Sequence, residues 1–355
     1  METSYSMDRL ISWIVRNSEK AKHHMSLSGL PEVVFRDFGI KTDLGEMKGS
    51  IHHMEEELTD TLSGLYDIPQ RNMIITTGGS ESIFLISHYA IRNGFRISVG
   101  LPEYPPIFSV PEQLGSRVMK IPWASLGEGN FKGGQKNALF FSNPNNPQGD
   151  LRVSPESEDM LPLKPGKTNL VYADEAFIEF GFGDKPRSLY HCADGMVING
   201  SMTKFYGFSN LRVGWIAGPV SMIQELRNLR SITGAQNPVY PMWIAKQALL
   251  SRSRFQDRAR QIIHENLRVL RKFVQDHEEL HFIGNPTNSS YCLIGYDFSM
   301  RSEDFCEALL KEQGVLLSPG DYFGTERSFR LCFTQRPGEF AESLSAFEGF
   351  LEKVR

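Results

Sequence analysis

Seven short β-rich runs, separated by helical stretches, constrain this chain more than any other feature: 72–77, 96–100, 117–121, 137–142, 169–173, 196–200 and 213–217. Several are apolar throughout, without the alternation of a strand that has one wet face. Such runs suit strands buried on both sides. Between the first two lies a helical stretch, 80–93, with Ile83, Leu85, Ile86 and Tyr89 at its apolar positions. That order predicts a three-layer α/β/α fold in which helices cover both faces of a mostly parallel sheet. Beyond it the pattern changes. Residues 222 to about 279 read as long helices, notably 245–250 and 255–274. The end of the chain reads as an α+β unit, with strands near 290–294 and 328–333 and a helix at 302–313. The expected division is a large domain over 45–235 and a smaller α+β domain built from 1–44 together with 236–355.

Composition narrows the partners. At 355 residues the chain can bury a large core, and its net charge of −4 with no basic run argues against nucleic acid. Four cysteines (Cys192, Cys292, Cys306, Cys332) form no CxxC pair or tight cluster, so neither a disulfide framework nor a metal site is expected. Residues 1–22 are charged throughout and lack the apolar core of a signal peptide. No run reaches membrane-spanning length, and the expected compartment is the cytoplasm.

In an open parallel sheet, ligands bind beyond the carboxyl ends of the strands, and the sharpest motifs fall there. After run 72–77 come Gly78, Gly79, Ser80 and Glu81, opening a helix. Free N–H groups at a helix start seat a phosphate, although Ser80 also reads as an ordinary cap. Run 137–142 ends in Asn143-Pro144-Asn145-Asn146-Pro147-Gln148-Gly149, whose prolines stiffen a turn and hold its amides in fixed directions. Run 169–173 ends in Asp174-Glu175-Ala176-Phe177, which offers a partly desolvated carboxylate or a helix cap. After run 196–200 comes Ser201-Met202-Thr203-Lys204-Phe205-Tyr206-Gly207, and Arg212 follows. A lysine that must be neutral to attack a carbonyl suits such a setting, and an arginine one loop away can hold a phosphate. Phe140, Phe141, Phe205 and Trp215 read as core, 222–229 as a helix on the sheet, and 252–260 as a solvated helix face.

Taken together, the NPNNPxG turn, the DEAF strand end and the SxTKxYGxxxxRVGW segment resemble fold-type-I pyridoxal 5′-phosphate (PLP) enzymes of the class I/II aminotransferase family. The resemblance runs from about 78 to 333. It implies that Lys204 carries PLP as a Schiff base, that Asp174 pairs with the pyridine nitrogen, and that Asn146 binds the ring hydroxyl. Tyr104, in Pro102-Glu103-Tyr104-Pro105, would stack on the ring. Gly79, Ser80, Glu81, Ser201 and Arg212 would surround the phosphate. Arg330 would clamp a substrate carboxylate, beside Asn146 and the entry loop 26–31 with Gly29. The family builds its site at a subunit interface, so a homodimer acting on an amino acid and a 2-oxo acid is implied.

Two positions depart from that pattern. Where the family often places a tyrosine, this chain has Phe177, as do the threonine-phosphate decarboxylase relatives of histidinol-phosphate aminotransferase. A decarboxylase of a phosphorylated amino acid is therefore the alternative. The segment that usually lends a tyrosine to the neighbouring subunit runs Gly45 to His53 with none; His52 or His53 could replace it, or stand as a solvated pair. A sensor without turnover is a third reading, which the lack of a DNA-binding segment before Gly78 disfavours.

Overall fold

The computed structural model describes residues 5–47, 51–131, 133–234 and 236–354. Helix α1 (Arg9–Asn17) starts at Asp8, whose carboxylate accepts the N–H groups of Leu10 and Ile11. Its apolar stripe buries Leu10 and Trp13. A two-residue strand, β1 (His23–His24), and helix α2 (Ile51–Tyr66) lead into the central sheet. The sheet region then runs β2 (Met73–Thr76), α3 (Gly79–Arg92), β3 (Arg96–Leu101), α4 (Pro105–Gln113), β4 (Met119–Pro122), β5 (Asn137–Ser142), β6 (Asn169–Asp174), β7 (Val197–Ser201) and β8 (Gly214–Ala217).

All seven runs expected from the sequence are strands of one sheet, in the order β2-β8-β7-β6-β5-β3-β4. Pairing is parallel except at β8, which runs antiparallel to both neighbours. The apolar runs have a simple cause. Successive side chains point to opposite faces, and both faces are covered. Ile74, Phe140, Tyr172, Val197 and Ile216 join a core with Ile83 and Leu85 of α3 and Ile107 of α4. Their neighbours Ile75, Phe141, Val171, Ile198 and Trp215 join the other core, with Met54, Leu58 and Leu62 of α2. Each such side chain contributes roughly 1.5–3 kcal/mol by leaving water.

The rest of the chain holds α5 (Val220–Thr233), α6 (Val239–Leu250), α7 (Arg252–Gln275), β9 (Leu280–Ile283), β10 (Tyr291–Tyr296), α8 (Ser302–Gln313), β11 (Val315–Leu316), β12 (Ser318–Pro319), β13 (Ser328–Cys332) and α9 (Pro337–Val354). An antiparallel sheet in the order β12-β13-β10-β9 forms here, and β1 pairs with β11, tying the N-terminal segment to this part. Register places Tyr291 opposite Cys332 and Leu293 opposite Arg330, so these four side chains share one face.

One expectation is corrected. The stretch 252–260 is not uniformly solvated, because Arg252 is buried at its start. Its Nε donates to Glu179 at 2.8 Å and its Nη1 to the Asp184 carbonyl at 2.8 Å. A charge count along the helix could not show that an acid from another loop meets it.

Two backbone crossings stand at the end of the sheet where α3 starts. A Cβ on Gly214 would lie 2.8 Å from Gly78 backbone atoms and 2.9 Å from the Gly200 carbonyl, none of which can swing aside. Gly214→Ala is expected to destabilise the protein by about 2–3 kcal/mol through overpacking, read as a lower denaturation midpoint at an unchanged m-value. An unshifted midpoint would show that this crossing is loose.

Candidate active site

Most candidate groups stand where a strand of the central sheet ends, while Arg330 lies within β13 of the second sheet and Gly29 in the loop 26–31. At the end of β5, Asn143 Oδ1 accepts the N–H groups of Arg152 (2.9 Å) and Val153 (3.2 Å), and its Nδ2 donates to the Val153 carbonyl (3.0 Å). Asn145 closes the turn by bonding Asp150 and Gly149 through its backbone, each at 2.7 Å. Gly149 has φ +86°, and a Cβ there would lie 2.4 Å from Ser289 Oγ and 2.6 Å from the Tyr291 carbonyl. Glycine alone fits that approach to the second sheet. With the turn fixed, the buried Asn146 side chain points toward Arg330, whose Nη1 donates to its Oδ1 at 3.0 Å.

At the end of β6, Asp174 Oδ1 accepts the Ala176 N–H at 3.1 Å. Burial pushes this carboxyl up, while Ala176, the Asn199 amide and the nearby Lys204 favour its charged form. Past the end of β7, Lys204 Nζ donates to Ser28 Oγ at 3.2 Å and lies 5.6 Å from the Phe177 ring centre. Burial brings its ammonium down to about 8, with Arg330 and Arg212 pushing the same way and Cys332 and Asp174 opposing. The loop 26–31 sits directly on this lysine: Leu30 N–H donates to the Lys204 carbonyl at 2.9 Å, and a Cβ on Gly29 would meet the Thr203 carbonyl at 2.8 Å. Ser28, Gly79, Tyr104, Asn146, Asp174 and Lys204 line one cavity of about 470 Å³.

One end of that cavity gathers hydrogen-bond donors. Gly79 and Ser80 open α3, where the first N–H groups have no helical acceptor and the dipole favours negative charge. Ser201 and Thr203 hydroxyls meet at 2.9 Å beside it. Arg212 adopts a left-handed φ of +53°, which turns its guanidinium against Gly78; a Cβ there would lie 2.9 Å from Nη2. Glu81 turns back instead, accepting the N–H of Thr77 at 2.5 Å and its hydroxyl at 2.8 Å. Glycine, hydroxyls, free N–H groups and an arginine form a donor set that fits a phosphate. Arg330, which reaches the cavity through Asn146, is 2% exposed, and its Nη2 donates to the Ser26 carbonyl at 3.0 Å. Among the described residues no carboxylate pairs with Lys204, Arg212 or Arg330.

Several residues here escape a reading of the sequence. Ser28 reaches Lys204 from far along the chain. Cys332 shares a strand face with Arg330 two residues earlier, a period-2 signal that was available. Tyr291 follows only from strand register: its ring packs on Phe177 at 4.7 Å, and its buried hydroxyl has no partner among the described residues. The expected substitutes for a neighbouring tyrosine divide. His53 Nε2 meets Glu57 at 2.6 Å, whereas the His52 side chain and residues 48–50 lie outside the described residues. No group of three or more metal-ligating side chains occurs, and no helix is long and apolar enough to cross a membrane, again among the described residues.

A lysine and an aspartate at adjacent strand ends of a sheet covered on both faces, with a phosphate cradle beside them, define a PLP-dependent transferase of fold type I. The family model for aminotransferase class I and II matches residues 46–347, and the chain belongs to that family. It is 24% identical to a histidinol-phosphate aminotransferase of Moorella thermoacetica over 306 residues, covering 82% of this chain and 74% of the relative. It is also 24% identical to an aspartate aminotransferase of Streptomyces avermitilis over 319 residues, covering 82% and 76%. A PLP-dependent aminotransferase from Streptococcus suis superposes with a TM-score of 0.83 at 22% identity, covering 100% of this chain and 99% of that one, which shows the shared fold. The protein is a PLP-dependent transaminase.

Because the neutral amine attacks carbonyls, labelling of Lys204 in the apoprotein by a small aldehyde should rise with pH through about 8 and level off above it. Borohydride trapping and mass spectrometry read this directly. A rate still climbing at pH ~10, the range of a solvated lysine, would refute the low value.

Proposed function

We propose that the protein exchanges an amino group between an α-amino acid and a 2-oxo acid, with PLP held covalently on Lys204. The observation that carries this reading is Arg330, a buried guanidinium without an acid partner, joined through Asn146 to the cavity that holds Lys204 and Asp174. A buried charge needs a counter-charge, and a substrate carboxylate supplies one. The phosphate of PLP would lie against Gly79, Ser80, Ser201, Thr203 and Arg212. Asp174 would keep the proton on the ring nitrogen, Asn146 would bond the ring hydroxyl, and Tyr104 would cover one face. Bound there, PLP supplies the electron sink that lets a bond at the substrate Cα break. Lys204 Nζ, whose ammonium is lowered to about 8, would be the base that takes and returns the Cα proton. Arg330 holds the carboxylate and so decides which Cα bond faces the sink.

Phe177 offers no hydroxyl to the ring oxygen, and it is the one feature that favours decarboxylation. The family and its named relatives favour transamination. The proposed organisation is a large domain over 45–235, a smaller one from 1–44 and 236–355, and a homodimer in the cytoplasm. Leu27, Val34 and Leu44, exposed on the segment that borders the cavity, supply apolar surface for a subunit contact.

Half-reactions test the chemistry. Incubating the loaded protein with single amino acids should convert the cofactor to its amine form and release the matching oxo acid, and Lys204→Ala should do neither. Release of carbon dioxide with the aldehyde form retained would replace this reading with the decarboxylase. Arg330→Met is expected to raise KM for amino acid and oxo acid about a hundredfold, in line with the roughly 2–5 kcal/mol at stake in a buried charge pair. PLP affinity should stay near that of the parent protein. A KM that does not move would remove Arg330 from substrate binding.

A further inference from the structure

Behind Tyr104 and Asn146 lies a buried acid that neither touches the cavity nor has a role so far. Glu103 has no exposed surface, and its partner Arg152 is 7% exposed. Four donors converge on this one carboxylate. Glu103 Oε1 accepts the Tyr104 N–H at 2.7 Å and the Ser142 hydroxyl. Its Oε2 accepts the Ser142 N–H at 2.9 Å and Arg152 Nη1 at 3.4 Å. The Ser142 oxygen in turn accepts the Asn146 N–H at 2.8 Å and Asn145 Nδ2 at 3.3 Å. Arg152 holds the other side, donating to the Gly100 carbonyl at 2.6 Å and to the Pro102 carbonyl, with its guanidinium 4.5 Å from the Trp123 ring centre.

Stability alone is a poor reason for such a cluster. A buried ion pair gains little over two well-packed apolar side chains, because both charges must leave water. What an apolar pair cannot do is accept hydrogen bonds from two segments at once. Here the segments are the one before α4, which carries Tyr104, and the end of β5, which carries Asn146. They are neighbours only through the sheet, since β3 and β5 pair in parallel. The Glu103 backbone adds a third tie, its N–H donating to the Phe323 carbonyl at 3.0 Å, and the Phe323 ring lies 5.0 Å from the Arg330 guanidinium.

We infer that Glu103 is a positioning residue that fixes Tyr104 and Asn146 relative to each other through Ser142, and thereby fixes the orientation of the cofactor ring. This rests on the proposed roles of Tyr104 and Asn146. The carboxylate anchors the backbone of the stacking residue on one oxygen and the strand end on the other. The Ser142 hydroxyl relays that anchor to the backbone of the amide residue. Burial pushes the Glu103 carboxyl up to about 7, and the Arg152 counter-charge, foremost among the surrounding donors, favours its ionised form.

The test uses variants that keep the core filled. Ser142→Ala removes the relay and leaves the ion pair. Glu103→Gln combined with Arg152→Met removes both charges together, so that neither is stranded. Asn146→Ala and Tyr104→Ala serve as direct perturbations of the ring contacts. Each apoprotein is titrated with PLP for its Kd, the loaded protein is read by visible circular dichroism, which reports a ring held in one asymmetric orientation, and the apoprotein Tm is recorded. Ser142→Ala and the double variant should each weaken PLP binding roughly tenfold, the scale of one lost charge-assisted hydrogen bond, and should collapse the visible dichroism while Tm stays close to that of the parent. If Asn146→Ala and Tyr104→Ala change the dichroism but these two do not, Glu103 has no positioning role. If none of the four changes it, the assignment of Tyr104 and Asn146 to the ring fails first. Should the double variant not fold, Ser142→Ala decides alone.

Discussion

Burial of both faces of the central sheet is the constraint from which the rest follows. Once α3 and α4 cover one side and α2 the other, a polar side chain in mid-strand must find its partner inside the protein, as Tyr172 does by donating to Asn199 at 2.8 Å. Chemistry is pushed to the strand ends, where the backbone leaves the ladder and side chains meet solvent. Asn146, Asp174 and Lys204 occupy three such ends in spatial order, because β5, β6 and β7 are adjacent and parallel. Antiparallel β8 then brings Arg212 back to the same edge, beside the start of α3. An arginine that follows the lysine in sequence thus joins a glycine turn far upstream.

Electrostatics sharpens what this edge can bind. The chain as a whole is acidic, at −4, yet Lys204 and Arg212 line the cavity, Arg330 joins it through Asn146, and of the two lining carboxylates, Asp174 and Glu32, the latter is already held by Ser209 and Asn210. Acids elsewhere are already committed: Glu179 to Arg252, Glu103 to Arg152, and Glu175 to Ser188 and the Leu189 N–H. Uncompensated positive charge is costly inside a protein and is retained where an anion completes it. On the proposed assignment, the helix start would take the phosphate of the cofactor and the buried arginine the carboxylate of a substrate.

Much of this was legible in the order of residues, for a local reason. Strand runs, the NPNNP turn, and the acid and lysine at strand ends are set by neighbours in sequence, and α8 occupies Ser302–Gln313, as its pattern predicts. What stayed hidden depends on register and distant packing. Nothing near Ser28 marks it as the partner of Lys204, and Tyr291 faces Cys332 only because β10 pairs with β13 at one register among several. Arg252 reads as one charge among many on a charged helix until Glu179 arrives from another loop. Glu103 is the instructive case: an acid amid prolines and apolar residues signals an unusual environment, but its partners come from the ends of other strands.

The coupling between Arg330 and Lys204 gives the arrangement a further consequence. Arg330 is the foremost charge holding the Lys204 ammonium down, second only to burial itself. On the proposed assignment, a substrate carboxylate that settles on Arg330 cancels part of that field. The lysine amine is then most nucleophilic in the empty site, where it must react with a carbonyl, and becomes more basic once substrate is bound, where it must take a proton from Cα. One arginine would thereby serve both stages. Asp174 and Cys332 pull the other way, toward the charged ammonium, and burial with Arg330 outweighs them. Neither effect requires a conformational change, because the switch is the charge of the substrate itself.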